Sequence, residues 1–169
     1  LPRLANAFTV IAPDLPGHGF TTRFTKASLT LPGMAAAIAG LLKALELAPS
    51  RIAGHSAGAA VALRMAVERL AEPKDIVSFN GAFFPFGGMA GQLFSPLAKA
   101  IAGASVMQRM FARMADRAAV ERLLKDTGSK LDDAGLRYYQ RLFANEGHVA
   151  GTLGMMAAWD LHWTPQDLR

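Results

Sequence analysis

The pentapeptide Gly54-His55-Ser56-Ala57-Gly58 places one serine between small residues, in the G-x-S-x-G form that sets a serine on a sharp turn between a strand and a helix. A hydroxyl held there attacks an ester, amide or similar electrophilic carbon once a histidine base removes its proton. The resulting oxyanion needs preorganised donors, and the backbone N–H of Ala57, at the start of a helix whose dipole favours negative charge, is one. Gly54 and Gly58 are expected to serve sterically: the turn brings helix backbone against the strand, so a Cβ at either position would collide. The plain alternative is a glycine-containing strand-helix junction without chemistry, which the flanking elements argue against.

Those elements come in the required order. Arg51-Ile52-Ala53 is a short strand-like run, and residues 57–70 are rich in strong helix formers. Upstream, Phe8-Thr9-Val10-Ile11-Ala12 reads as a buried strand running into Pro13-Asp14-Leu15-Pro16-Gly17-His18-Gly19. In that turn the prolines fix φ, the glycines permit positive φ, and Asp14 can accept from nearby amides. His18 is expected to hold the loop by hydrogen bonding rather than to act as a base. Between the two motifs, residues 30–47 predict a helix, with Thr30 as N-cap, Pro32 in the first turn, and Met34, Ile38, Leu41, Leu42 and Leu45 as one apolar stripe. After Glu72-Pro73, residues 75–81 read as the next parallel strand.

Together these motifs resemble the α/β-hydrolase superfamily, in which a D-x-P-G-H-G turn follows one central strand and the G-x-S-x-G nucleophile elbow follows the next. The resemblance implies an α/β fold, here a partial parallel sheet with flanking helices and a helical lid insertion. The division is then 1–81 for the partial core, 82–161 for the lid, and 162–169 for the start of the return to the core. The insertion opens on the aromatic and glycine-rich run at 83–91 and continues through helical patterns at 97–101, 106–125, 134–143 and 148–159. Phe83, Phe84, Phe86, Met110 and Phe111 are candidates to line an apolar substrate pocket; methionines and aromatics of this kind serve equally to pack a lid on its core.

Within the superfamily, residues 79–86, 93–98 and 54–60, together with Tyr138-Tyr139, His148-Val149 and residues 155–161, are similar to the magnesium-chelatase accessory proteins of bacteriochlorophyll biosynthesis. That similarity implies a role near magnesium insertion into protoporphyrin, a tetrapyrrole or other small apolar ligand, and magnesium chelatase as a partner. A non-catalytic accessory and a general serine esterase are the alternatives.

The superfamily order is Ser, then Asp or Glu, then His. His148 with Asp132 or Asp133, and His162 with Asp160, satisfy that order only formally, because all lie in the insertion or at its exit. Directly after the strand run that ends at Phe79 stand Asn80 and Gly81, which offer no carboxylate. The second oxyanion donor belongs to a loop before the first helix, and residues 1–6 read as the end of that helix. The acid, the base and this donor are therefore expected outside these 169 residues, leaving the chain inactive by itself.

Composition narrows the alternatives. With 51% hydrophobic residues the chain can bury a core. It has no cysteine, which excludes disulfides and thiolate chemistry, and His18, His55, His148 and His162 show no metal-ligand spacing, so neither a metal nor a cofactor is expected. No apolar run reaches the roughly 18–20 residues of a membrane span, and the N-terminus lacks a signal-peptide layout, so the expected location is cytoplasmic. The net charge of +5 is spread among carboxylates, which argues against nucleic acid. One local exception is Arg109, Arg113 and Arg117 beside Met107, Met110, Phe111 and Met114: either a solvated helix face or a surface for acidic ligands, a peripheral membrane contact or a partner.

Overall fold

The computed structural model describes residues 2–21, 25–84, 117–126 and 131–163. A short helix, α1 (Pro2–Ala5), leads into an extended segment and the turn at 14–21; a single 3-10 turn (Ala27–Leu29) precedes α2 (Leu31–Ala44). Then follow β1 (Arg51–His55), α3 (Ala57–Val67) and β2 (Asp75–Phe79). After β2 the described elements are all helical: α4 (Arg117–Asp126), α5 (Asp133–Phe143) and α6 (Glu146–Ala158).

Local chemistry sets most of these boundaries. The Thr30 hydroxyl accepts from the Gly33 N–H at 3.1 Å and donates to the Ala27 carbonyl at 2.7 Å, so one side chain ends the 3-10 turn and starts α2. At the other end Glu46 takes φ 55°, and the Leu47 N–H reaches back to Leu42 O at 2.8 Å. Arg69 repeats this after α3 at φ 53°, with Leu70 N–H bonded to Met65 O at 2.8 Å. Both are left-handed helix stops made without glycine. Asp132 caps α5 by accepting from Gly135 N–H at 2.7 Å. Asn145 caps α6 by accepting from Gly147 and His148 N–H at 3.0 and 3.3 Å.

The strands β1 and β2 pair in parallel, from Arg51 opposite Asp75 to His55 opposite Phe79. An exposed ion pair of 2.9 Å between Arg51 Nε and Asp75 Oδ2 sits on the first rung. The strand expected at 8–12 is not formed: the segment is extended but joins no ladder, with Phe8 50% and Ile11 41% exposed. A β-strand exists only by hydrogen-bonding to a neighbouring backbone, and among the described residues none lies alongside.

The core is chiefly a helix-helix contact. Leu31, Met34, Ala35, Ile38 and Leu42 of α2 pack with Ala60, Val61 and Met65 of α3, and Met155 of α6 joins them. Leu31, Met34 and Met65 are the largest fully buried side chains, each stabilising the fold by about 2 kcal/mol through burial alone. The stripe expected on α2 is narrower than its sequence implies. Leu41 and Leu45 lie at the edge of the buried arc, 39% and 53% exposed, since no described element covers that edge. A second, smaller cluster of Val120, Leu124 and Leu136, with Phe143 against it, joins α4 to α5. Helices expected at 134–143 and 148–159 are present with slightly earlier starts; of the helix expected at 106–125, only α4 falls within the described residues.

Candidate functional site

Ser56 stands between β1 and α3 with φ 51° and ψ −116°, a left-sided conformation that a side chain rarely adopts. Its backbone is fixed by the end of β2. The Ser56 N–H donates to Phe79 O and the Ser56 carbonyl accepts from Ala82 N–H, each at 3.0 Å. Asn80, at φ 46°, makes the bend that brings Ala82 back to this position. Although Ser56 occupies the N-cap position of α3, its hydroxyl caps nothing. Ala57, half-buried, is the first residue of that helix, where an N–H has no intrahelical acceptor.

The two glycines of the pentapeptide prove unequal. A Cβ on Gly54 would overlap backbone atoms of Gly58 and Ala59, so this position must be glycine for α3 to lie against β1. A Cβ on Gly58 would meet nothing within 4 Å among the described residues, which corrects the expectation that both would collide. The Gly58 backbone takes part in the close approach to Gly54, but a side chain at 58 would enter open space, so only position 54 requires glycine on steric grounds.

Phe83 is half-buried and packs on the core cluster, as do Ala57, Met156, Trp159, Leu161 and Trp163. Its carbonyl accepts the indole N–H of Trp163. The Trp163 ring in turn lies 5.3 Å from the Arg64 guanidinium of α3, and Arg64 pairs with Glu68 at 3.0 Å. Residues just beyond α6 are thereby tied both to α3 and to the segment that follows β2. Phe84 is 75% exposed. Phe86, Met110 and Phe111, with Arg109 and Arg113, lie outside the described residues; Arg117 begins α4. The sequence reading missed two polar atoms of α6 and its exit, Thr152 Oγ1 and Trp159 Nε1, which are buried without a hydrogen-bond partner among the described residues.

Three of the four histidines have partners of their own. His18 Nδ1 lies 3.1 Å from Pro16 O, so that nitrogen carries the proton and braces the turn, in the loop-holding role expected of it. His148 Nδ1 accepts from Gly19 N–H at 3.1 Å. Burial lowers the His148 pKa, the His18 charge lowers it further, and Asp14 opposes both. His162 Nδ1 stands 2.6 Å from Asp160 Oδ1, a highly exposed pair, and His162 holds the Asp160 carboxyl below its ordinary range through its backbone N–H first and its ring second. His55 is exposed on β1. Among the described residues no group of three or more His, Cys, Asp or Glu is placed to hold a metal ion, and no helix is long and apolar enough to cross a membrane.

Comparisons with known proteins agree with this architecture. The family model described as "Alpha/beta hydrolase family" matches residues 1–167. The chain is 37% identical over 162 residues to the "Magnesium-chelatase 30 kDa subunit" of Rhodobacter capsulatus, covering 95% of this chain and 56% of that protein. It is 39% identical over 67 residues to a 2-hydroxy-6-oxo-2,4-heptadienoate hydrolase of Pseudomonas putida, covering 40% of this chain and 24% of that one. Among solved structures, an alpha/beta hydrolase fold protein from Burkholderia ambifaria is similar with a TM-score of 0.59 and 19% identity, covering 87% of this chain and 52% of that chain. The chain spans little more than half the length of the proteins it matches along most of its own. With its parallel strands, the helix that connects them and a family match over nearly every residue, the chain belongs to the alpha/beta hydrolase family.

Proposed function

We propose that Ser56 is the nucleophile of an ester- or amide-cleaving centre and that Ala57 N–H is one of its oxyanion donors, in a protein that works alongside magnesium chelation in bacteriochlorophyll biosynthesis. The observation that carries this reading is the conformation of Ser56. A non-glycine residue at φ 51° stores of the order of 1–3 kcal/mol of strain, and here it leaves a serine hydroxyl unspent beside a helix N-terminus. Residues 82–161 act as a lid over the site, with Phe83 on its inner side. The ligand is small and apolar or a tetrapyrrole. The absence of a base for Ser56 among the described residues is supported by the partners of His18, His148 and His162, with His55 exposed on β1; the 169 residues alone are expected to turn over no ester.

A fluorophosphonate probe and a p-nitrophenyl ester test the reading. The whole protein is expected to be labelled at Ser56 and to lose turnover about a thousandfold or more in Ser56→Ala. Unchanged turnover in that variant refutes the nucleophile, and substantial Ser56-dependent turnover by the 169-residue chain refutes the missing base.

A second reading rests on the match to a protein named as a magnesium-chelatase subunit over 95% of the chain. In it the fold serves without catalysis, holding a tetrapyrrole or contacting the chelatase. Protoporphyrin fluorescence titration separates the two: tight binding unaffected by Ser56→Ala, without ester turnover, supports the carrier.

A further inference from the structure

Residues far apart in sequence meet where the turn at 14–21 lies against α6. His148 Nδ1 accepts from Gly19 N–H at 3.1 Å, and Asn145 Nδ2 donates to Gly19 O at 3.0 Å, across 129 and 126 residues of chain. One turn further along α6, the backbone of Gly17 fills the space that a Cβ on Gly151 would need. The His18 and His148 rings meet edge to face at 5.7 Å. Gly17 and Gly19, both buried, take φ 73° and 56°, and the Asp14 carboxylate occupies the place of a Gly19 Cβ. Both peptide groups of Gly19 are thus gripped by the first turn of α6.

We infer that His148 is a positioning residue whose neutral imidazole holds α6 on this turn, and that protonating the ring releases the contact. The chemistry is one of donors and acceptors. To accept from Gly19 N–H, the Nδ1 atom must present its lone pair, which places the ring proton on Nε2. A second proton goes on Nδ1, where N–H then faces N–H and the bond is lost. Asn145 cannot compensate, because its oxygen is already used by Gly147 and His148 N–H.

The neighbouring charges fix the direction. From the turn, His18 disfavours the charged ring and Asp14, exposed, favours it weakly. The 3-10 turn that packs on α6 carries no titratable side chain. On α5, the neighbouring helix, stand Asp133, Arg137, Tyr138, Tyr139 and Arg141, and on α6 itself Glu146. With the pKa lowered from its ordinary 6.5, the attachment is fully present above about pH 6.5 and is lost as pH falls through the lowered value. Because α6 leads directly to Trp159 and Trp163, the same contact governs how the exit of the helical segment is seated on Phe83. None of this depends on Ser56 being a nucleophile.

Amide exchange at Gly19, corrected for intrinsic rates and followed by NMR together with the His148 ring, tests the inference in the unaltered protein. Protection at Gly19 is expected to fall about tenfold or more from about pH 7.5 to the acid end of the His148 titration, along that titration, while amides of α2 and α3 keep theirs. In His148→Asn the amide oxygen takes the place of Nδ1 without titrating, so protection is expected to persist at both values. Gly19 protection that stays constant while His148 titrates overturns the inference, as does an equal loss in the asparagine variant. Should that variant fold poorly, the titration of the unaltered protein decides.

Discussion

The N–H of Ser56 donates to the carbonyl of Phe79 at 3.0 Å, continuing the β1–β2 ladder one residue past the last strand pair. That single bond lets the chain turn sharply into α3 while the serine backbone remains part of the sheet. It also makes the strain at Ser56 a property of the sheet edge, which can be measured separately from any chemistry.

Ser56→Gly is therefore expected to raise unfolding stability by about 1 kcal/mol, because glycine adopts φ 51° without a Cβ penalty. Ser56→Ala keeps the Cβ and is expected to change stability by less than about 0.5 kcal/mol, since the hydroxyl caps nothing. Urea denaturation of the pair checks both. A destabilising glycine would show that the backbone is relaxed there.

The pentapeptide glycines offer a matched comparison. Gly54→Ala is expected to cost about 2–3 kcal/mol, as the added methyl meets helix backbone that cannot rotate away. Gly58→Ala is expected to stabilise by about 0.5 kcal/mol through helix propensity. Equal effects of the two in thermal or urea melts would contradict the asymmetric packing of β1 on α3.

At the α6 contact, Gly151→Ala acts by shape alone. Its methyl would overlap the Gly17 carbonyl, so α6 must lift from the turn at every pH. Loss of Gly19 amide protection at neutral pH, with α2 and α3 still protected, is the expected result. Retained protection would mean that the turn yields more readily than its two positive-φ glycines imply.

Trp163→Phe removes the donor to Phe83 O while keeping most of the ring that lies over Arg64. A loss of about 1 kcal/mol is expected, with faster exchange at the amides of 81–84. If those amides do not change, the Phe83 segment is held by packing instead of by this bond.

How far the sequence could be read depends on the range of the interactions. Thr30 announces a helix start because the donor it satisfies lies three residues away. The G-x-S-x-G turn is legible for the same reason. Asp132 and Asn145 cap α5 and α6 in the same way, but the sequence reading leaves them unused and begins those helices one and two residues late. The strand expected at 8–12 is not formed, because Val10 and Ile11 express a preference for extended backbone and nothing local supplies the neighbour that turns preference into a ladder. Gly54 and Gly58 look alike in sequence, yet only the docking of α3 on β1 distinguishes them.

The sequence by itself determined the order of strand, turn and helix, the position of Ser56 at their junction, and the family to which that order belongs. Each follows from propensities, caps and steric limits that act within a few residues. The tertiary structure alone decided that His148 grips Gly19, that Met155 enters the core of α2 and α3, and that Trp163 binds the carbonyl of Phe83. Those contacts join groups about 80 to 130 residues apart, and which groups meet across such separations is fixed by the packing of whole helices, which no local pattern encodes.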